Sequence, residues 1–366
     1  MALAVVDAYP VPADRAAPSA LRPTLVVGVA TLAALTLALR LPVATTVVGL
    51  ALFGIVHNVL ELRYVSGRFA GVLAGRLLAS LVVLVTGIVL CRLWPDGGIT
   101  ARRAEILLAY ALLAVAWWWA RGGVPRVRWW AGAPVLAVAV AASWRHPDHH
   151  FVMLAHLHNV VPLFFLWEWS RHWNTGRRAF RAVNVAWVVV VPVLVLAGAF
   201  DGMLRGAAAR LGPLGTFTSG PLAATYTPPT WLDGAVALRF LTVFAFMQTM
   251  HYVVWVWLLP RHAPSATAAF DERVPALRGG RAVLAGVAGA LLLGVLLISD
   301  YRTGRTLYGA VASYHAYLEF PVLLALLVGL AGRSLHADSA RPTSPTSPTP
   351  PTLEEATDAL VPADPR

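Results

Sequence analysis

The histidines of this chain are concentrated in its most apolar stretches, where an ionisable side chain is unexpected. Five of them lie inside long apolar segments: His57, His156, His158, His251 and His315. Placing one charged side chain at the centre of a membrane-spanning helix costs about 2.5–3.5 kcal/mol on some scales. Several such groups on separate helices indicate a shared compensating partner, and imidazoles suit a metal ion in that role.

Two of these histidines begin the same pattern, His-x-x-Leu-Glu, at His57–Glu61 and at His315–Glu319. Positions i and i+4 share one face of a helix, so each pattern presents an imidazole and a carboxylate on the same side. Each carboxylate is predicted either to bind the ion or to fix the tautomer of the ligating ring. An alternative partner for Glu61 is a nearby arginine, Arg63 or Arg68.

The other candidates are chosen by their position around the helix. Gln248 and His251 are three residues apart and share a face, so Gln248 is predicted to be a polar positioning group. His156 and His158 lie about 200° apart around a helix, so only one of them faces a common centre. His158 is favoured, because Pro162 interrupts the helical hydrogen bonds just beyond it. For any single histidine, the alternative is a hydrogen bond between helices.

The ligand types restrict the metal. Imidazoles and carboxylates without thiolates suit non-haem iron, copper or zinc, and Cys91 is the only cysteine. Non-haem iron is the expected cofactor, because iron with open coordination positions activates dioxygen. Haem is an alternative, because two facing histidines also bind haem iron. The predicted ligands are His57, His158, His251 and His315, and the predicted catalytic residues are Glu61, Glu319 and Gln248.

The composition places these residues in a membrane. Of the 366 residues, 58% are hydrophobic and 13% are charged, with a mean hydropathy of +0.66, whereas about a quarter of a soluble domain is charged. The predicted fold class is all-α, a polytopic integral-membrane bundle of about ten helices that each cross about 30 Å of hydrocarbon. The candidate spans are 24–42, 44–62, 70–92, 103–120, 129–144, 150–170, 183–200, 235–259, 281–299 and 307–331.

The segments outside the spans set the domain limits. Residues 1–22 are predicted to be disordered or interfacial, and residues 23–333 to form the helical membrane domain. Residues 334–366 are predicted to be a disordered cytoplasmic tail, because their Pro, Thr and Ser residues cannot bury a core.

The arginines predict the orientation. With a cytoplasmic N-terminus, eighteen arginines lie in inside segments and nine in outside loops, as the positive-inside rule requires. The chain is therefore predicted to be a multi-pass protein of the cell inner (plasma) membrane with both termini cytoplasmic. The formal charge of +11 belongs to loops near membrane lipids, so nucleic acid is not an expected partner. In this orientation the spans with His57, His158, His251 and His315 run in one direction, at depths compatible with one site.

Three short segments carry a family resemblance. Gly54-Ile-Val-His57-Asn-Val-Leu-Glu61 is similar to Gly-x-Pro-His-Gly-x-x-Asp, Trp167-Glu168-Trp-Ser170-Arg171-His172 to Trp-His-Ser-x-Arg-His, and Tyr314-His315-Ala316 to Pro-His-Ala. In this order they resemble the bacteriorhodopsin-related-protein family of integral-membrane β-carotene 15,15′-dioxygenases. The resemblance implies non-haem iron bound by His57 and His172, with Glu168 as a substitute ligand where the family has histidine. It also implies cleavage of a carotenoid or related polyene.

The leading hypothesis is therefore an integral-membrane, metal-dependent oxygenase or oxidase. Its expected substrate is lipid-soluble, such as a carotenoid, an isoprenoid or an acyl chain. The alternative is a transporter, in which histidine and glutamate line a proton-coupled or metal-ion path. A third hypothesis is a membrane haem-binding redox protein.

Overall fold

The computed structural model describes residues 19–120, 126–204, 219–232 and 234–339, and this part of the chain is all-helical. The helices are α1 (Leu21–Arg40), α2 (Pro42–Arg68), α3 (Gly75–Leu93), α4 (Gly98–Ala120), α5 (Arg126–Arg145), α6 (Pro147–His158), α7 (Pro162–Trp169), α8 (Arg177–Val185), α9 (Val191–Leu196), α10 (Asp201–Leu204), α11 (Ser219–Tyr226), α12 (Gly234–Tyr252), α13 (Leu259–His262), α14 (Ala268–Arg273), α15 (Gly280–Ser299) and α16 (Tyr301–Ser339). The all-α prediction is confirmed for these residues. The predictions for 1–22 and 334–366 fall almost wholly outside them.

Seven of the described helical segments are long and apolar enough to cross a membrane, which indicates a multi-pass membrane protein. They are Leu21–Arg40, Pro42–Arg68, Gly75–Leu93, Pro147–Trp169, Arg177–Leu196, Gly234–His262 and Gly280–Ser299. The predicted number of about ten is therefore not confirmed. The other three predicted spans coincide with α4, α5 and α16, and α5 contains a shorter apolar stretch, Gly132–Arg145.

Prolines interrupt the helices that carry two of the candidate ligands. Pro162 begins α7, and α6 ends at His158. Pro260 follows a π-helical segment, Val253–Leu258, that begins two residues after His251. Proline lacks an N–H and its ring displaces the carbonyl four residues earlier, so the helix breaks or widens just before it. Both irregular segments therefore lie next to a histidine that the sequence nominates.

The central helix is α2, which packs against α12, α15 and α16. On α15, Gly286 and Gly289 face Val56 and Ile55 of α2. A Cβ added at Gly286 would lie 3.0 Å from the Cα of Val56, and only a shift of one helix backbone relieves such a contact. Small residues let helix backbones approach closely. They hold α15 tightly against the helix that carries His57.

Ion pairs connect the C-terminal part of α2 to its neighbours. Arg63 donates two hydrogen bonds to Asp271 of α14, at 2.8 and 2.6 Å, and Arg68 donates one to Glu168 of α7 at 2.8 Å. The bonds from Arg63 hold the pKa of the Asp271 carboxyl below its usual value. Both arginines that the sequence offers to Glu61 are thus paired with other carboxylates.

Candidate metal centre

Four histidines from four separate helices meet inside the bundle. They are His57 of α2, His158 at the end of α6, His251 of α12 and His315 of α16. Each offers one ring nitrogen, and these four nitrogens all lie within 4.8 Å of one another. His57 and His315 are 2% exposed and His251 is 1% exposed. The predicted convergence is therefore present, and the group could hold a metal ion.

The spacing of the ring nitrogens fits a coordination sphere. Nε2 of His315 lies 3.1 Å from Nε2 of His57 and 3.2 Å from Nε2 of His158. Metal–nitrogen bonds of about 2.0–2.1 Å place neighbouring ligand atoms about 3.0–3.4 Å apart in octahedral or tetrahedral geometry. His251 completes the group, with its ring centroid 4.4 Å from that of His158. Two nitrogen pairs thus lie at the separation expected of ligands to one ion.

Hydrogen bonds on the far side of two rings determine which nitrogen faces the centre. Nδ1 of His57 lies 3.0 Å from the carbonyl oxygen of Phe53, and Nδ1 of His158 lies 2.6 Å from Oε2 of Glu319. The Phe53 carbonyl only accepts, so Nδ1–H of His57 donates and Nε2 of the neutral ring presents a lone pair; the same holds for His158 when Glu319 is ionised. Nε2 of His315 carries at most one proton and can satisfy only one of these lone pairs. A cation satisfies all three nitrogens, and a carboxylate behind a ligating histidine is common at metal sites.

Glu61 and Glu319 form a second group with His251. One oxygen of each carboxylate and one nitrogen of His251 all lie within 4.8 Å of one another. The two glutamates are 1% and 0% exposed, and Oε2 of Glu61 is 3.4 Å from Nε2 of His251. Among the described residues, no hydrogen bond of ordinary geometry reaches the oxygens of Glu61, Oε1 of Glu319 or the nitrogens of His251, and these groups contact one another. Buried polar atoms are rarely left unsatisfied, so this group also fits a cation.

The break before Pro162 separates the roles of two neighbouring histidines. His158, the last residue of α6, reaches the cluster. Nε2 of His156 instead lies 2.8 Å from the carbonyl oxygen of Tyr226. A carbonyl accepts, so His156 is a donor in a contact between α6 and α11. The structure therefore brings His158 to the centre and gives His156 the alternative role of a hydrogen bond between helices.

A cavity of about 320 Å³ leads to the cluster, and all four histidines line it. Much of its remaining wall is apolar, including Val47, Leu50, Phe151, Leu154, Leu222 and Phe244. Arg92 and Arg305 line both this cavity and an adjoining open basin, which we call the cavity mouth. Arg92 is paired with Glu105 at 2.6 Å, and Arg305 donates to the Thr225 hydroxyl at 3.0 Å. The cavity lined by the four histidines thus lies next to an open basin.

Gln248 and Tyr252 lie beside the ligands in the cavity wall. Nε2 of Gln248 donates to the Tyr252 hydroxyl at 2.5 Å, and the Tyr252 ring centroid lies 4.6 Å from that of His57. Because the hydroxyl accepts from Gln248, its own proton can be donated to another group. Tyr252 is not among the residues predicted from the sequence. Its position four residues after Gln248, on the same helical face, is the signal that identifies it.

The family resemblance nominates two further ligands, Glu168 and His172. Glu168 is in an ion pair with Arg68 at 2.8 Å, and it is not part of either candidate ligand group. The side chain of His172 lies outside the described residues. Of the residues in the three resembling segments, the structure places His57, Glu61 and His315 in the candidate ligand groups.

Comparison with known proteins does not assign a family to the chain. Neither a protein-family model, nor a curated protein, nor a solved structure matches it. The fold and the site define a class by themselves: a helical multi-pass membrane protein whose buried histidines and glutamates could bind a metal ion.

Proposed function

We propose that this protein is a metal-dependent membrane oxidoreductase, an oxygenase or oxidase that acts on a lipid-soluble substrate. The observation that carries the proposal is the position of four mutually close imidazoles at the inner end of an apolar cavity. A site of this kind combines metal ligands with space for a substrate next to them. The buried glutamates and Tyr252 supply groups that can accept or donate protons beside that space.

Non-haem iron is the metal that we propose. Imidazole and carboxylate ligands suit iron, and copper and zinc remain possible with the same ligands. Bound at this site, iron would supply the activation of dioxygen. Haem fits less well, because Nε2 atoms 3.1 and 3.2 Å apart leave no space for a porphyrin between two axial histidines. The protein's own contribution would be to hold the ion through His57, His158, His251 and His315.

The cavity supports a substrate with an apolar chain. Its volume of about 320 Å³ is at the lower end of the roughly 300–1,000 Å³ found for small-molecule sites. An isoprenoid or acyl chain would fit with its reacting carbon near the histidines. A carotenoid would fit in part, with the remainder passing through the cavity mouth. Gln248 would position the substrate or the Tyr252 hydroxyl against the centre.

The orientation is also part of this proposal. We infer that the protein resides in the plasma membrane with both termini in the cytoplasm, since that orientation places most arginines inside. Arg92 and Arg305 belong to segments on the outer side in this arrangement, so the cavity mouth would face outward. We also infer that α4, α5 and α16 cross the membrane with the seven longer apolar segments, for ten spans in total.

The test is metal-dependent incorporation of dioxygen. Purified protein in lipid nanodiscs, loaded anaerobically with Fe(II), is given β-carotene, an isoprenoid quinol or a fatty acid under ¹⁸O₂, and products are analysed by mass spectrometry. We expect an oxygenated or oxidised product, no Soret absorption, and loss of product with His57→Ala. The matched control is His156→Ala, which removes a partly buried histidine outside the candidate ligand groups.

Two outcomes would overturn the proposal. Iron-loaded protein that consumes no dioxygen with any of the three substrate classes would argue against an oxidoreductase. If the same protein in liposomes instead takes up protons or divalent metal ions, and His57→Ala abolishes the uptake, the site belongs to a transporter.

A further inference from the structure

We propose that the centre binds two metal ions, one among the four histidines and a second held by Glu61, Glu319 and His251. This inference rests on the proposed metal site and extends it, because it assigns a separate ion to the glutamates. The described residues form two groups of possible ligands, and the groups share His251. Ligands of one ion at bonds of about 2.1 Å lie at most about 4.2 Å apart. Neither glutamate belongs to the four-histidine group, so the two groups fit two neighbouring ions that share His251 as a ligand.

The charge of the second group requires compensation. Glu61 and Glu319 are 1% and 0% exposed, and two carboxylates this close do not both ionise without a cation or a shared proton. The nearest arginines along α2 do not supply the charge, because Arg63 is paired with Asp271 and Arg68 with Glu168. A divalent ion would compensate both carboxylates together.

The unpartnered atoms are those that such an ion would use. Oε2 of Glu319 lies 2.6 Å from Nδ1 of His158, while its Oε1 is buried without a hydrogen bond. Both oxygens of Glu61 and both nitrogens of His251 are also buried without a hydrogen bond of ordinary geometry, although Oε2 of Glu61 lies 3.4 Å from Nε2 of His251. Glu319 would thus connect the two subsites, with one oxygen behind a ligand of the first ion and the other on the second ion. To bridge the two ions, His251 would have to be an imidazolate, with both ring protons released and one nitrogen on each ion.

The experiment counts ions and measures their coupling. Detergent-purified protein is loaded anaerobically with Mn(II) or Fe(II), freed of excess metal, and analysed by elemental analysis. We expect two ions per chain in the wild type and one in Glu61→Gln. Glu168→Gln is the matched control, since Glu168 is a partly buried glutamate that is paired with Arg68, and it should retain two ions. Glu319→Gln is less suitable, because it also affects His158.

Electron paramagnetic resonance of the Mn(II)-loaded protein supplies a second readout. Two ions that share His251 should give an exchange-coupled spectrum, and Glu61→Gln should give the spectrum of an isolated Mn(II). If the wild type binds one ion per chain and Glu61→Gln binds the same number, the inference is overturned. A proton shared between Glu61 and Glu319 would then be what neutralises the two carboxylates. Two uncoupled ions would overturn it as well. A dinuclear protein without oxygenase activity would refute only the proposed function, and an active protein with one ion would refute only this inference.

Discussion

Replacing His315 with alanine removes the central nitrogen of the four-histidine group. Nε2 of His315 is 3.1 and 3.2 Å from the Nε2 atoms of His57 and His158, so both neighbours lose the ligand next to them. Structural zinc sites of four ligands bind with about 10–16 kcal/mol. One ligand then contributes about 2.5–4 kcal/mol, which corresponds to a loss of roughly 10²- to 10³-fold in affinity.

The assay is competition between the protein in detergent and a chelator of known affinity, with Fe(II) or Zn(II) as the probe. The control is His156→Ala, which removes the hydrogen bond to the Tyr226 carbonyl but no candidate ligand, and should bind metal as the wild type does. Added imidazole should restore part of the affinity of His315→Ala, because the cavity leads from its mouth to this ring. Unchanged affinity in His315→Ala, or an equal loss in His156→Ala, would refute the ligand assignment.

Three further outcomes follow from the packing and the polar contacts. Gly286→Leu should lower the thermal stability in detergent and weaken metal binding, because its side chain meets the Val56 backbone of α2; Gly286→Ala should be milder, and equal effects would contradict the argument. Asp271→Asn should cost about 1 kcal/mol of stability at neutral pH. Arg63 lowers the pKa of Asp271 in the folded protein, so this contribution to stability is present above the unfolded pKa of about 3.9 and is lost as the pH falls below it. The stabilities of wild type and variant should therefore become equal in acid. Tyr252→Phe should retain metal, measured by elemental analysis, but lose most product formation under ¹⁸O₂; full activity would exclude a role for the hydroxyl.

The convergence of the histidines could be predicted because the relevant information is local. Helical spacing puts His315 and Glu319 on one face, and the break at Pro162 favours His158 over His156. In the structure His158 joins the cluster, while His156 bonds to a carbonyl of another helix. In the predicted orientation the four spans run in the same direction, and their histidines lie at similar depths in the membrane, so the four residues can meet.

Other features depend on partners that sequence spacing does not reveal. From local spacing alone, Glu61 is the expected partner of Arg63. In the structure Arg63 pairs with Asp271, which is 208 residues away along the chain. Tyr252 is adjacent to a ligand, yet tyrosine in a span is more often an interfacial residue. The number of spans could not be fixed either, because hydropathy does not show whether a helix such as α5 crosses the membrane or packs inside the protein.

The order of the candidate ligands along the chain bears on when the proposed ion would bind. His315, which lies 3.1 Å from His57, is on the last described helix, α16. During synthesis the earlier helices therefore enter the bilayer before the coordination group is complete. Full coordination by the four histidines would therefore follow insertion of α16, and a bound ion would link α2 to the last described helix. If the proposed ion binds, protein made without metal would hold α16 less firmly and would be more open to proteolysis.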